Sequence, residues 1–276
     1  MRKETHFFPG GNTSKGFYSF YHYILSEKDA NKVIILKGGP GTGKSSLMKK
    51  IASYYLSKDY SIEYHHCSSD NNSIDGVVIK ELNVAILDGT SPHINDPKFP
   101  GAIDEIVNLG ECWNESGFEI DKIQIIRTFK DISKSFKRAY RYLAAAKSIH
   151  EDWSILNSET VNLNLLDALI SKLNFLLPLT SDKTHRGEER HLFATAFTPN
   201  GIVTYIDNLI ENYKTVKVLK GGPGLSKTKI LNTLTDSAIK LGFNVQVLHD
   251  SFIPERIEHI LIPELSIAII SSNEIN

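Results

Sequence analysis

The sequence predicts an α/β fold in which a parallel sheet flanked by helices occurs twice, with a helical hairpin inserted between the two copies. Three observations predict it: a segment that recurs along the chain, apolar strands that alternate with helices, and a long amphipathic stretch between the recurrences. The chain has 276 residues, enough to bury the cores of two small domains.

The recurrence has a fixed register. The segment VIILKGGPGTGKSSL begins at Val33 and VKVLKGGPGLSKTKI begins at Val216, an offset of 183 (216 − 33). The offset holds without a gap as far as Asp88, and residues 6–16 resemble 191–201 at an offset of 185. A register kept over this length does not arise by chance, so it predicts two copies of one unit.

Strands and helices alternate within the first copy. Apolar runs predict parallel strands at 33–37, 61–66 and 84–87. A glycine-rich loop and a helix ending near Ser57 follow the first strand. We also predict a helix at 16–26 and a short helical turn at 74–79. This alternation is typical of a parallel α/β sheet.

A different pattern separates the copies. Residues 119–153 predict a long amphipathic helix, with apolar residues at helical spacing: Ile126, Phe129, Phe136, Tyr140, Leu143 and Ile149. Residues 163–177 are its predicted return partner, which gives a hairpin. The predicted domains are a first core, the hairpin, a polar linker and a second core, at 1–118, 119–180, 181–190 and 191–276. Because the second copy stops at Asn276, just past its third strand, we expect that copy to be truncated.

Composition limits the class of protein. The residues are 41% hydrophobic and 23% charged with a formal net charge of −1, which is ordinary for a globular protein and does not indicate nucleic acid as a partner. Cys67 and Cys112 are too few for a disulfide framework and suit a reducing compartment. The longest apolar stretch, 257–270, is interrupted by Pro263 and Glu264 and is too short to span a bilayer. We therefore expect a cytoplasmic protein without a membrane partner.

The glycine-rich loop fits the pattern G-x-x-x-x-G-K-[ST]. Glycines allow backbone N–H groups to point at phosphate oxygens, and the following helix aims its positive end at the same anion. Lys44 is expected to reach the β- and γ-phosphates and Ser45 to ligate Mg²⁺. The predicted nucleotide-binding residues are Gly38, Gly39, Pro40, Gly41, Thr42, Gly43, Lys44, Ser45 and Ser46. The strand before the loop and the helix after it distinguish this site from a chance glycine-rich turn.

A phosphate-binding loop needs an acidic metal partner at the end of a nearby strand. Asp88 follows the apolar run 84–87 and is the predicted Mg²⁺ partner; alternatively, it only begins the turn with Gly89. Since Gly89 is not the glutamate that polarises water in many ATPases, the catalytic base is unassigned. Asp70 is a candidate base for an acceptor hydroxyl, and the alternative is a solvated turn.

The second loop departs from the pattern. Ser226 replaces Gly43 and puts a side chain where the loop must approach phosphate, and Ser271 replaces Asp88. The sequence therefore predicts a weak or inactive second site, formed by Gly221, Gly224, Lys227 and Thr228.

At these residues the sequence resembles the P-loop NTPase superfamily. More narrowly, it resembles an uncharacterised family of tandem P-loop ATPases from Gram-positive spore-forming bacteria. The resemblance rests on KGGPGTGKSSLMKKI, on HCSSD from His66, on ILDGTSPH from Ile86 with the following Asp96-Pro97, and on FPGA from Phe99. It covers nearly the whole chain and implies ATP and Mg²⁺ as cofactors and ATP hydrolysis as the activity. It implies no physiological substrate.

Three weaker candidates are also present. His65, His66, Cys67 and His93 are conceivable zinc ligands, although their spacing lacks a C-x-x-C or H-x-x-x-H pair. A basic cluster on the long helix is either a phosphate lid, a polyanion site or a solvated helix face: Arg127, Lys130, Lys137, Arg138 and Arg141. Arg186 and Arg190 are candidate arginine fingers.

Three functions compete. The first is a slow ATPase whose nucleotide state moves the helical hairpin. The second is a small-molecule or nucleoside kinase, with Asp70 as base and the helix arginines as a lid. The third is a non-catalytic nucleotide-binding scaffold. ATP is expected as the nucleotide, in preference to GTP, because the chain has no Asn-Lys-x-Asp guanine signature. The expected partners are the nucleotide and an unidentified protein or small molecule.

Overall fold

The computed structural model describes residues 3–90 and 96–272 and has a mixed α/β fold. The elements of the N-terminal half are, in order, β1 (Glu4–Phe7), β2 (Gly10–Thr13), β3 (Gly16–Ser19), β4 (Lys32–Lys37), α1 (Lys44–Leu56), β5 (Ile62–His66), β6 (Ile74–Ile79), β7 (Val84–Asp88), β8 (Asp104–Asn108) and α2 (Ser116–Ser158). Those that follow are α3 (Leu163–Asn174), β9 (Glu189–Leu192), β10 (Thr195–Thr198), β11 (Gly201–Thr204), α4 (Ile206–Ile210), β12 (Thr215–Lys220), α5 (Lys227–Lys240), β13 (Val245–His249), β14 (Ile257–Ile262) and β15 (Ile267–Ser272).

The chain forms two compact units. Met1–Gly10 and Ser19–Tyr142 make up the first unit, and Gly11–Tyr18 and Leu143–Asn276 make up the second. The boundary between the units lies inside α2, a helix that the sequence places wholly in the hairpin.

The first unit contains a six-stranded sheet in the order β1-β5-β6-β7-β4-β8. β1 with β5, and β4 with β7 and β8, pair in parallel, whereas β6 is antiparallel to both of its neighbours. The sheet is therefore mixed. The helical turn predicted at 74–79 is wrong: these six residues are the buried strand β6. A short apolar run such as IDGVVI does not distinguish a strand from a buried helical turn.

The helix predicted at 16–26 is also wrong. β3 and a short 3-10 turn, Tyr21–Tyr23, occupy this stretch, and β3 forms a two-stranded sheet with β2. Gly16 has a φ of +94° and begins β3 after a tight turn. Residues of this β2–β3 segment pack in the second unit, where the Ser14 N–H and hydroxyl donate to the Phe252 carbonyl at 3.1 and 2.7 Å.

Helix α1 covers one face of the first sheet. Met48 and Ala52, four residues apart on α1, are fully buried against Ile62 of β5 and Val77 of β6. Gly43 provides the left-handed residue before the helix, with a φ of +83°. This packing holds the start of α1 at the end of β4, where the phosphate-loop pattern lies.

The second unit contains a five-stranded sheet in the order β12-β15-β14-β13-β9. β12 with β15 and β13 with β9 are parallel pairs, and β14 is antiparallel to both of its neighbours. α5 and α3 bury one face of this sheet in a single apolar core.

The packing of α3 differs from the predicted hairpin. Leu166, Ile170 and Leu173 of α3 are buried in the core that α5 forms with the second sheet. Asn162 caps the helix by accepting hydrogen bonds from the Asn164 and Leu165 N–H groups. α3 thus belongs to the second unit's core, because its apolar stripe matches that of α5.

Helix α2 has 43 residues, and each of those the structure describes is exposed or half-buried. Within residues 3–90 and 96–272, none of the helices combines the length and the apolar character that crossing a bilayer requires.

Candidate functional site

The first loop connects β4 to α1 and has the backbone shape that its glycines allow. Gly38, Gly41 and Gly43 have φ angles of +147°, +82° and +83°, which L-residues rarely adopt. A Cβ added to Gly41 or to Gly43 would meet no atom within 4 Å, so the loop is open on that side.

Lys44 lies folded against this loop and is only 7% exposed. Its Nζ donates to the Gly38 and Gly39 carbonyls at 2.6 and 3.0 Å. The same nitrogen is 3.6 Å from Oδ2 of Asp88. The ammonium is thus held by acceptors at the mouth of the loop.

Asp88 is brought to the loop by the sheet. It ends β7 and pairs with Leu36 of β4, two residues before the loop begins. Its Oδ1 accepts the Thr90 N–H at 2.8 Å, and the Thr90 hydroxyl donates to the Gly38 carbonyl at 2.6 Å. Asp88 therefore begins the predicted turn and also lies beside Lys44.

Ser45 is the second residue of α1, and its Oγ accepts the N–H of Ile74 at 3.1 Å. Ser46 follows on the exposed side of the helix, and Thr42 closes the loop by donating to the Gly39 carbonyl at 2.9 Å. The residues that the motif assigns to nucleotide binding and to Mg²⁺ thus lie around one loop.

Trp113 is a loop neighbour that the sequence analysis missed. A Cβ placed on Gly39 would lie 2.9 Å from the ring atoms Cη2 and Cζ2 of Trp113, so the indole lies directly on the loop. The ring also contacts Phe118, with centroids 5.3 Å apart. In the sequence, the one feature that could have drawn attention to Trp113 is that the chain has two tryptophans.

Asp70 forms a turn in the exposed loop after β5. Its carboxylate accepts the Ser73 hydroxyl and the Asn72 N–H, and the hydrogen bond from Ser73 is the main cause of its lowered pKa. A carboxylate with these partners is a weaker base than an ordinary aspartate. The geometry thus favours the turn interpretation.

A second acidic group, on β6, is buried. Asp75 is 3% exposed, and its Oδ2 accepts a 2.6 Å hydrogen bond from the Tyr21 hydroxyl. Burial, with the Asp75 charge beside it, raises the pKa of Tyr21 well above its ordinary value. Burial also raises the pKa of the neighbouring Cys67, which is therefore a neutral thiol.

The second loop, between β12 and α5, keeps the same backbone shape. Gly221 and Gly224 have φ angles of +148° and +83°, and Ser226 is left-handed at +62°. The Lys227 Nζ donates to the Gly221 carbonyl at 2.6 Å, the same distance as from Lys44 to Gly38. Ser226 therefore replaces a glycine without changing the course of the loop.

Within the described part of the chain, which ends at Ser272, β15 has no carboxylate at the position of Asp88. Ser271 is buried there, and its N–H donates to Nδ1 of His259 at 3.1 Å. Burial lowers the pKa of His259 to about 3, so this imidazole is neutral. The Thr228 hydroxyl faces the Ile257 carbonyl at 3.5 Å.

Residues 150–157 of α2 lie against the second loop. Asn157 Nδ2 donates to the Pro223 carbonyl at 2.8 Å. A Cβ on Gly222 would lie 3.6 Å from the Trp153 ring, and one on Gly224 would lie 2.0 Å from the Ser154 carbonyl oxygen. α2 thus forms a wall on this loop.

His65 and His66, two of the conceivable zinc ligands, each contact another side chain. His6 Nδ1 is 2.9 Å from His66 Nε2, and His65 Nε2 is 2.9 Å from Glu63 Oε1. Among the residues that the structure describes, no group of three or more histidine, cysteine or acidic side chains is arranged to hold a metal ion. His93, the other proposed zinc ligand, lies outside the described residues.

The basic cluster is exposed along α2: Arg127, Lys130, Lys137, Arg138 and Arg141. Arg138 Nε donates to the Tyr142 hydroxyl at 3.1 Å, which fits the interpretation of a solvated face. Arg186 is exposed in the segment before β9, and Arg190 is half-buried within that strand.

Comparisons of the chain with protein-family models, with curated proteins and with solved structures found no match.

Proposed function

We propose that the chain binds Mg²⁺-ATP at the first loop and hydrolyses it slowly, and that the second loop is a non-catalytic copy. The observation that carries the proposal is the grouping of Lys44, Ser45 and Asp88 around one open loop. These three side chains supply the ammonium, the hydroxyl and the carboxylate that a Mg²⁺-triphosphate requires.

The donor set fits the group. Lys44 is held by two carbonyl oxygens that a phosphate can replace as acceptors, and the open side of the loop leaves room for phosphate oxygens. One hydroxyl and one carboxylate suit Mg²⁺, which keeps several waters and takes few protein ligands. Ser45 and Asp88 would hold the ion through their oxygens, and the bound ion would neutralise phosphate charge. Lys44 would offset the remaining negative charge.

We expect slow hydrolysis because, among the residues that the structure describes, no side chain is assigned as the general base that would activate water. Asp70 is committed to a turn, and Asp75 is buried against Tyr21, so neither stands as a free acceptor at the loop. Slow hydrolysis follows from this. The same facts weigh against the kinase alternative, in which Asp70 takes the proton from an acceptor hydroxyl.

We also infer that the two units are copies of one phosphate-binding unit. Support comes from the shared strand order, β4-β7-β6-β5-β1 and β12-β15-β14-β13-β9, and from the matching loop angles. The proposed compartment is the cytoplasm, which the two free thiols Cys67 and Cys112 suit.

Phosphate release without any acceptor tests the proposed activity. Purified protein with Mg²⁺-ATP is expected to release phosphate, and removal of Mg²⁺ is expected to stop the release. ADP formation only after addition of a metabolite would favour the kinase. Binding without turnover under every condition would favour the scaffold.

A further inference from the structure

A cavity of about 770 Å³ lies on the second loop. It is lined by residues 220–228 and by His150, Trp153 and Ser154 of α2. All of these residues belong to the second unit. The volume lies within the range of small-molecule binding sites, about 300–1,000 Å³.

Part of the loop wall resembles the first loop, although the side that is open at Gly41 is closed at Gly224 by the Ser154 carbonyl oxygen. The left-handed residues of the wall match those of the first loop, and Lys227 lies in the same position as Lys44. Lys220 and Arg256 also line the cavity. Two acids line it as well. The Oδ1 of Asp250 already accepts the N–H groups of Phe252 and Ile253, and Glu258 lies on β14 at the position of Asp75 in the first unit, which the proposed Mg²⁺ site does not use.

Among the residues that the structure describes, none of the acids stands at the end of β15, the position that Asp88 occupies in the first unit. Ser271 lines the cavity there. The neutral His259 behind Ser271 adds no charge. Phosphate charge at this loop is therefore offset by lysine and arginine side chains and not by Mg²⁺.

Three of the side chains that line the cavity are aromatic rings. Trp153 is 48% exposed and lines the cavity, with Phe252 and His150 beside it. His150 packs on Phe252 edge to face, with centroids 5.6 Å apart, and burial lowers its pKa. A planar heterocycle can stack on such rings, which favours a ligand with a base over a bare phosphate.

We propose that the second loop is a metal-independent nucleotide site, which binds the phosphates of a nucleoside diphosphate on residues 221–228 and stacks its base on Trp153. The first loop is the metal-dependent site, so the two loops differ in their requirement for Mg²⁺ and not in the class of ligand. The inference does not depend on hydrolysis at the first loop.

Tryptophan fluorescence isolates this site. In a Trp113→Phe, Lys44→Ala protein, Trp153 is the sole tryptophan and the first loop is disabled. Titration with ADP in EDTA is expected to change Trp153 emission saturably, with an affinity that Mg²⁺ alters less than about twofold. Adding Lys227→Ala is expected to weaken binding roughly tenfold or more, because a charge-assisted contact is lost. Lys229→Ala, on the exposed side of the same helix, is the matched control.

Equilibrium dialysis with labelled ADP provides a second readout. Trp153→Ala is expected to weaken ADP binding roughly tenfold and to leave tripolyphosphate binding unchanged. Equal affinity for tripolyphosphate and ADP, a requirement for Mg²⁺, or indifference to Lys227→Ala would each overturn the proposal. Loss of metal-dependent binding in Lys44→Ala alone leaves the first-site function standing, so the two claims fail separately.

Discussion

Lys44 and Asp88 lie side by side at the ends of neighbouring elements, with Nζ 3.6 Å from Oδ2. Lys44 begins α1, and Asp88 ends β7, which pairs in parallel with the strand that leads into the loop. Lys44 is 7% exposed, and the side chain of Asp88 is 16% exposed. Water therefore screens their charges poorly. This pair is the centre of the proposed site.

Asp88→Asn tests the metal role. The substitution keeps the size of the side chain but removes the charge, so phosphate release is expected to fall on the order of 100-fold while metal-free ADP binding persists. The measurement is phosphate release over a Mg²⁺ titration. Asp121→Asn, at an exposed position on α2 in the same unit, is the control. Unchanged release in Asp88→Asn would remove Asp88 from the site.

Gly41→Ala and Gly224→Ala form a matched pair, since both glycines have a φ near +82°. Each alanine costs about 1–2 kcal/mol in the left-handed conformation. Only the second would also lie 2.0 Å from the Ser154 carbonyl oxygen, whereas the first meets no atom within 4 Å. Gly224→Ala is therefore expected to lose about 1–3 kcal/mol more stability in urea denaturation. Equal losses would contradict the contact between α2 and the second loop.

Tyr21→Phe tests the buried pair on the first sheet. The variant loses the hydrogen bond to Asp75, and a bond of this kind contributes about 1.5–3 kcal/mol. The free energy of unfolding is expected to fall by that amount. Tyr54→Phe, whose ring is exposed, should leave it unchanged. A loss no larger than that of Tyr54→Phe would show that the pair does not stabilise the fold.

His249 makes stability depend on pH. Its Nδ1 donates to the Pro254 carbonyl at 2.7 Å, and its Nε2 is 2.8 Å from Nδ1 of His191. Burial, with His191 beside it, lowers the pKa of His249 to about 4. The unfolded chain therefore binds more protons between pH 6.5 and 4, so stability is full above that window and falls as the pH drops through it.

The measurement is urea denaturation at pH 7, 6 and 5. The contribution of His249 is a few kcal/mol across the window. His249→Gln is expected to flatten the slope, and His185→Gln, at an exposed position, to leave it as it is. An equal slope in His249→Gln would show that other groups cause the pH dependence.

Much of the first unit could be predicted from local pattern. The strand before the loop, the loop and α1 follow from an apolar run, glycines and a helical repeat, and Asp88 follows from the end of a strand. β6 was missed because its six residues are buried on both faces, which removes the alternation that identifies a strand. α3 was assigned to a hairpin with α2 because periodicity identifies an apolar stripe but not the element that it packs against, which is α5.

The remaining features depend on contacts between distant residues. Trp113 reaches Gly39 across more than 70 positions, and Tyr21 reaches Asp75 across 54. No sequence motif predicts either contact, since tryptophans in loops and tyrosines near strands are common. The left-handed Ser226 was equally hidden, because the sequence shows the missing glycine but not the backbone angle that the serine adopts.

Mg²⁺-ATP binding by Lys44→Ala is the most direct test of the account. Lys44→Ala is expected to weaken binding about 10- to 100-fold and to abolish phosphate release, because it removes the ammonium at the mouth of the loop. Lys50→Ala, exposed on the same helix, is the control, and Lys227→Ala is expected to leave release unchanged. Binding and release that survive Lys44→Ala would contradict the central claim.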